Sequence, residues 1–217
     1  MSTPTAARFR VLDIAPEPYA LTPVLSARIR VTNTGGDPVH AIALRCQVRI
    51  EPSRRRYRDD EADGLLDLFG RREQWGQTQR SFLWQHASTM VPGFTETTET
   101  TVPLVCTYDF EVAAAKYLHA LRDGTVPLQF LFNGTIFHRG ERGFSVQQVA
   151  WDCDDRFDMP VTVWTDLVAQ QYPDSGWVRL RHDSIAALAT YRSERGLLDL
   201  DDAVTALLGN TRQGVGS

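Results

Sequence analysis

Five histidines, three cysteines and one acidic run are the residues of this chain with chemistry to offer. His40, His86, His119, His138 and His182 show none of the spacings, such as HExxH or HxH, that bring two imidazoles to one metal. Cys46, Cys106 and Cys153 are far apart and odd in number. No CxxC pair exists, so neither a disulfide framework nor a zinc knuckle is encoded. Cys46 and Cys106 fall on apolar strand positions and read as core. Asp152, Asp154, Asp155 and Asp158 surround Cys153 but lack the spacing and the glycine of a calcium loop, so they read as a solvated acidic loop. GxSxG, P-loop and GxGxxG patterns are missing. The residues therefore predict no catalytic group, no metal ligand and no cofactor.

Arginine and tryptophan offer binding chemistry instead. Arg28, Arg30, Arg45 and Arg49 alternate with apolar residues, and Arg54, Arg55, Arg56 and Arg58 follow. On two paired strands the first four would share one face, a surface suited to an acidic protein partner. Trp75 and Trp84 flank a polar stretch, Gly76–Ser81, and Trp75 is a second interface candidate. The 217 residues carry a net charge of −4, which does not suit a polyanion binder. Lys116 is the only lysine. No apolar run reaches the roughly 20 residues of a membrane span, and Met1–Arg10 has no signal-peptide core; the cytoplasm is the expected compartment.

These residues need elements to hold them. Val39–Glu51 alternates strictly, with Ile42, Leu44, Cys46, Val48 and Ile50 on one side. Leu25–Thr32 does the same, and the turn formers Asn33–Pro38 lie between the two runs. The pattern predicts an antiparallel hairpin. Further strands are predicted at Arg8–Ile14, Phe82–Met90, Thr98–Thr107, Val126–Phe137 and Phe144–Trp151. Asn133-Gly134-Thr135 matches a glycosylation sequon but, without a secretory signal, reads as a turn. Helical stripes occur at Asp60–Gly70 and at Asp109–Arg122, where Asp109 is the predicted cap. The fold class that follows is α+β: an antiparallel β-sandwich, Ig-like in architecture, over residues 1–159 with helices inserted near 60–70 and 109–122.

From Pro160 the pattern changes to a C-terminal module at 160–209 with a flexible tail at 210–217. A helix is predicted from Pro160 to Tyr172 and a turn at Asp174–Gly176. A strand follows at Trp177–Arg181, with Val178 and Leu180 inward. Two helices come next, capped by Asp183 and Asp199 and closed by Gly196 and Gly209. This order is similar to a ribbon-helix-helix DNA reader, in which Arg179 and Arg181 would face bases. Asp199, Asp201 and Asp202 stand where that family would meet phosphate, so packing or a protein contact, including a homodimer, is the favoured role and nucleic acid is disfavoured.

Five runs carry a family resemblance: HAIALRCQVRIEPSRRRY (His40–Tyr57), GLLDLFG (Gly64–Gly70), STMVPGFT (Ser88–Thr95), CTYDFEVAAAKYLHAL (Cys106–Leu121) and YPDSGWVRLRHDSIAAL (Tyr172–Leu188). The chain resembles an uncharacterised actinobacterial family, a domain of unknown function, over nearly its whole length. The resemblance implies an association with gene clusters for nickel-iron hydrogenases and transfers no site residue. The expectation is a non-catalytic accessory or scaffold protein acting through protein binding, with a hydrogenase subunit or maturation factor as the implied partner. The alternative is a transcriptional regulator using the C-terminal module. Without CxxC pairs or histidine clusters, the chain is not expected to carry nickel or an iron–sulfur cluster itself.

Overall fold

A computed structural model describes residues 7–106, 112–140, 143–173 and 178–214. The first strands are β1 (Ala7–Pro16), β2 (Val24–Asn33) and β3 (Val39–Ile50). Three short helices, α1 (Asp59–Gly64), α2 (Leu66–Phe69) and α3 (Trp75–Thr78), precede β4 (Phe82–Phe94) and β5 (Thr97–Val105). After α4 (Ala113–Ala120) come β6 (Thr125–Gly140), β7 (Gly143–Gln148) and β8 (Asp154–Pro160). Helix α5 (Val161–Gln171) follows, then α6 (His182–Glu194) and α7 (Leu200–Gly214). The protein is α+β, with two antiparallel sheets.

Sheet one has the order β1-β2-β5 and sheet two the order β4-β3-β6-β7, with β8 beside β6. Strict alternation drives both, as expected from β3. Ile29, Val31 and Val102 of sheet one and Leu44, Val48 and Phe130 of sheet two belong to one buried cluster. Phe9 of β1 stacks on Phe132 of β6 with ring centroids 4.8 Å apart. Pro92 and Pro103 sit in β4 and β5, strands with a single neighbour, where a missing N–H is tolerated.

The predicted β2–β3 hairpin does not form. β2 pairs with β1 and β5, and β3 pairs with β4 and β6. The Asn33–Pro38 segment carries the chain from one sheet to the other. Asn33 fixes this crossing: its Nδ2 donates to Asp37 O and Thr95 O, each at 2.8 Å, and its backbone N–H donates to Glu96 O. Residues 95–96 form the second crossing, between β4 and β5.

Three further expectations are corrected. Asn133-Gly134-Thr135 is interior to β6 and not a turn. Of the acidic run only Asp152 lies in a turn; Asp154, Asp155 and Asp158 are on strand β8, whose Phe157 and Met159 turn inward. Asp155 has a structural task there: β1 bulges beside Val11, and the freed Val11 N–H donates to Asp155 Oδ2 at 2.7 Å, joining the two sheets. The predicted 60–70 helix is broken at Leu65 into α1 and α2. The proposed cap Asp109 lies outside the described residues.

Two compact units are present, Met1–Trp177 and Val178–Ser217. The boundary differs from the predicted 159/160 because α5 buries Val161, Trp164 and Leu167 in the first unit's core. Gln170 and Gln171 also donate to Glu17 O and Ala20 O in the loop after β1. In the second unit Gly196 adopts φ +63 after α6, and Leu197 N–H closes back on Arg192 O. Asp199 caps α7 through the Asp202 N–H, as predicted, while Asp202 reaches back to Leu198 N–H. Asp183 lies in the first turn of α6 and makes no cap bond. Helix α7 continues through Gly214, past the predicted end at Gly209.

Candidate functional site

The four arginines predicted to share a face are divided between the sheets. Arg28 and Arg30 are on β2, where both bind Glu99 of β5 at 3.1 and 2.8 Å. Their hydrogen bonds hold the Glu99 carboxyl below its usual range. Arg45 and Arg49 are on β3, in sheet two, and Arg49 donates to Ser81. The arginine run that follows is largely structural. Arg54 meets Glu51 and Asp158, and Arg58 meets Asp60 and Asp123. Arg55 is buried on Glu61. Trp75 is part of an aromatic cluster with Tyr57 and Phe69, and its indole N–H donates to Gly70 O. Trp84 packs against the core at a bulge of β4.

Burial sets the ionisation of the three cysteines and of one histidine. Burial pushes the thiols of Cys46 and Cys106 up to about 12, far from thiolate formation. Burial drives the His119 imidazole down to about 4, and the ring packs edge-on against Trp164. Burial also raises the Cys153 thiol, with Asp152 and Asp154 adding to the shift. Among the described residues no group of three His, Cys, Asp or Glu side chains could hold a metal ion.

Two surfaces stand out. The first is a groove of about 1040 Å³ on the outer face of sheet two. Its floor is made by outward side chains of β3 and β6, among them Gln47, Leu131 and Asn133, and Arg45 lines it too. β7 and β8 pair in succession along the same side of β6. The chain between them turns at 149–153, held by Val149 N–H on Gly134 O and by Phe132 N–H on Cys153 O. That turn displays Trp151 with 94% of its surface exposed, against the usual burial of tryptophan. The sequence hid this residue because an aromatic at the end of an apolar run reads as strand. The signal that could have found it is the Asp152 that follows, ending the alternation.

The second surface is on the helical hairpin. Leu200, Val204 and Leu207 recur at helical spacing on α7 and are each nearly 40% exposed; Leu208 is 62% exposed. Among the described side chains of this unit, Ala203 alone is buried. Residues 178–181 form no strand, and Val178 and Leu180 are exposed instead of inward. Arg179 and Arg181 are exposed in this extended lead-in to α6. Trp177 and the predicted turn at 174–176 lie outside the described residues.

Fold and surfaces together define a two-sheet α+β protein followed by a helical hairpin. The chain belongs to a family of unknown function, DUF6084, whose profile matches residues 4–215. No curated protein matches it. Among solved structures it is similar to a protein assigned to the late embryogenesis abundant (LEA) class, at 15% identity and a TM-score of 0.33 over 72% of each chain. It is also similar to Spo0M, a sporulation control protein of Bacillus subtilis, at 12% identity and a TM-score of 0.29, over 87% of this chain and 55% of Spo0M. A third is beta-glucosidase 3B of Thermotoga neapolitana, at 13% identity and a TM-score of 0.27, over 71% of this chain and 17% of the enzyme. At these scores none of the three carries an argument about this chain. No helix among the described residues is long and apolar enough to cross a membrane.

Proposed function

We propose that this protein is a non-catalytic accessory or scaffold protein that binds another protein through its helical hairpin, in the cytoplasm. The observation that carries this reading is the α7 stripe. Leu200, Val204, Leu207 and Leu208 follow the spacing of a core-facing helix, yet they remain substantially open, and among the described side chains of the hairpin Ala203 alone is buried. A helix pair of this length gains little stability without packing. The partner fitted to it is a protein with an apolar groove, met by the helix face, and with basic side chains at one end. Those would meet Asp201 and Asp202, exposed in the first turn of α7.

A hydrogenase subunit or maturation factor is the partner class to try first, on the strength of the sequence resemblance. The test is co-purification of the tagged full chain at native expression level, beside a Val204→Asp, Leu207→Asp variant. Recovery of a stoichiometric partner by the native chain and its loss from the variant support the reading. Recovery of the native chain alone, or of the same partner by both, rejects it. The DNA-reading alternative draws less support, because 178–181 make no strand to enter a groove and three aspartates stand at the start of α7. We read the sheets as an Ig-like sandwich, supported by the order β1-β2-β5 and β4-β3-β6-β7 around one core.

A further inference from the structure

We infer that the groove on sheet two is a binding site for a neutral oligosaccharide, with the Trp151 indole as its stacking platform. This goes beyond protein binding by the hairpin and rests on different residues. The groove, at about 1040 Å³, lies at the upper end of the range for small-ligand sites.

The platform is built in place. The turn that carries Trp151 is pinned to the middle of β6 at both ends, by hydrogen bonds of 2.9 and 2.8 Å, and is closed by Cys153 N–H on Ala150 O. The backbone that carries the indole is fixed, so a ligand need order only the side chain itself. Its apolar area suits the C–H face of a sugar ring.

The floor dictates the rest of the chemistry. β3 lies between β4 and β6, and β6 is paired on both sides, so their main-chain groups are used in the ladders. A peptide strand therefore cannot add to the sheet here, and recognition falls to side chains. Gln47, Asn133, Thr135 and Gln148 supply amide and hydroxyl groups, which both donate and accept, as ligand hydroxyls do. Gln148 Nε2 donates to Thr135 Oγ1 at 3.2 Å, which orients this pair. Charge is sparse: in a chain with 27 acidic and 23 basic residues, the lining holds no carboxylate, one guanidinium, Arg45, and one imidazole, His86. So few basic groups on an open surface give a phosphorylated or sulfated ligand little, whereas a neutral polyol loses nothing by the lack of charge.

The test titrates the full chain with cello-, malto-, manno- and chito-oligosaccharides, by calorimetry and tryptophan fluorescence, beside a sulfated oligosaccharide. The expected result is saturable binding of one neutral series at sub-millimolar concentration, weakened about tenfold or more by Trp151→Ala. Asn133→Ala should also weaken it. Both side chains are exposed, so the thermal midpoint of each variant should match the native chain and separate lost binding from lost folding. No saturable binding of any neutral series at millimolar concentration overturns the inference. So does binding that Trp151→Ala leaves unchanged, or binding confined to the sulfated ligand.

Discussion

The guanidinium of Arg55 and the carboxylate of Glu61 meet inside the protein, with Nη2 2.8 Å from Oε1 and 3.0 Å from Oε2. Glu61 also accepts the N–H groups of Arg122 and Arg58, while Arg55 donates to the carbonyls of Asp123 and Thr125. This pair therefore joins the β3–β4 connection to the end of α4 and the start of β6. Removing one partner strands a buried charge. Glu61→Ala should cost about 3–5 kcal/mol of unfolding free energy, read from a urea titration.

The same residues set the acid response. Burial opposes the charge on Glu61, but the Arg122 and Arg58 N–H groups and the Arg55 guanidinium outweigh it and hold the carboxyl below its ordinary 4.5. A depressed carboxyl contributes stability above its unfolded pKa that is lost as pH falls through the folded one. His119 acts earlier. Its folded pKa of about 4 lies below the ordinary 6.5, so the unfolded chain binds the proton first and stability falls as pH drops from about 6.5 towards 4. His119→Gln should flatten the loss in that upper window and leave the loss below 4.5 in place. A variant whose stability still falls as steeply between 6.5 and 4.5 would contradict this assignment.

Gly134 is a second fixed point. Its φ is +151, and a Cβ there would collide with Ala43 O on β3 and stand 3.2 Å from Leu44 Cα. Backbone cannot move aside as a side-chain tip can, so Gly134→Ala should destabilise by about 1–3 kcal/mol. Gly76, with nothing within 4 Å of the same atom, is the control. Gly76→Ala lies in a helix and should be neutral or slightly stabilising. Equal denaturation midpoints for the two variants would refute the argument.

The alternation of β3 and β2 was legible in the sequence down to the residue, because one buried face imposes a period of two. Which strands pair was not. Asn33–Pro38 has the composition of a hairpin turn and serves equally to cross between sheets. The choice follows from long-range matches such as Arg30 opposite Glu99 on β5, which spacing along the chain does not encode. β8 was missed because its acidic residues outnumber its apolar ones, and only Phe157 and Met159 report the inward face. Trp151 closes the predicted strand Phe144–Trp151, but the strand ends at Gln148 and a pinned turn holds the indole outward. Leu200, Val204, Leu207 and Leu208 have the spacing of an inward helix face, yet all four are exposed, because spacing along the chain does not say whether anything covers that face.

The separation of the arginines has its own test. Arg28 and Arg30 bind Glu99 on an exposed surface, so Glu99→Ala should move the thermal midpoint little, and the shift should fade at high salt. A large, salt-independent loss would mean that the cluster is buried by something further.

The most direct measurement of the protein-binding account is site-specific photo-crosslinking in native cells. A photoreactive residue at position 207, on the α7 stripe, is compared with one at position 205, exposed but off the stripe. One discrete protein adduct is expected from position 207, absent or much weaker from position 205. Equal adducts from both positions, or none from either, would contradict it.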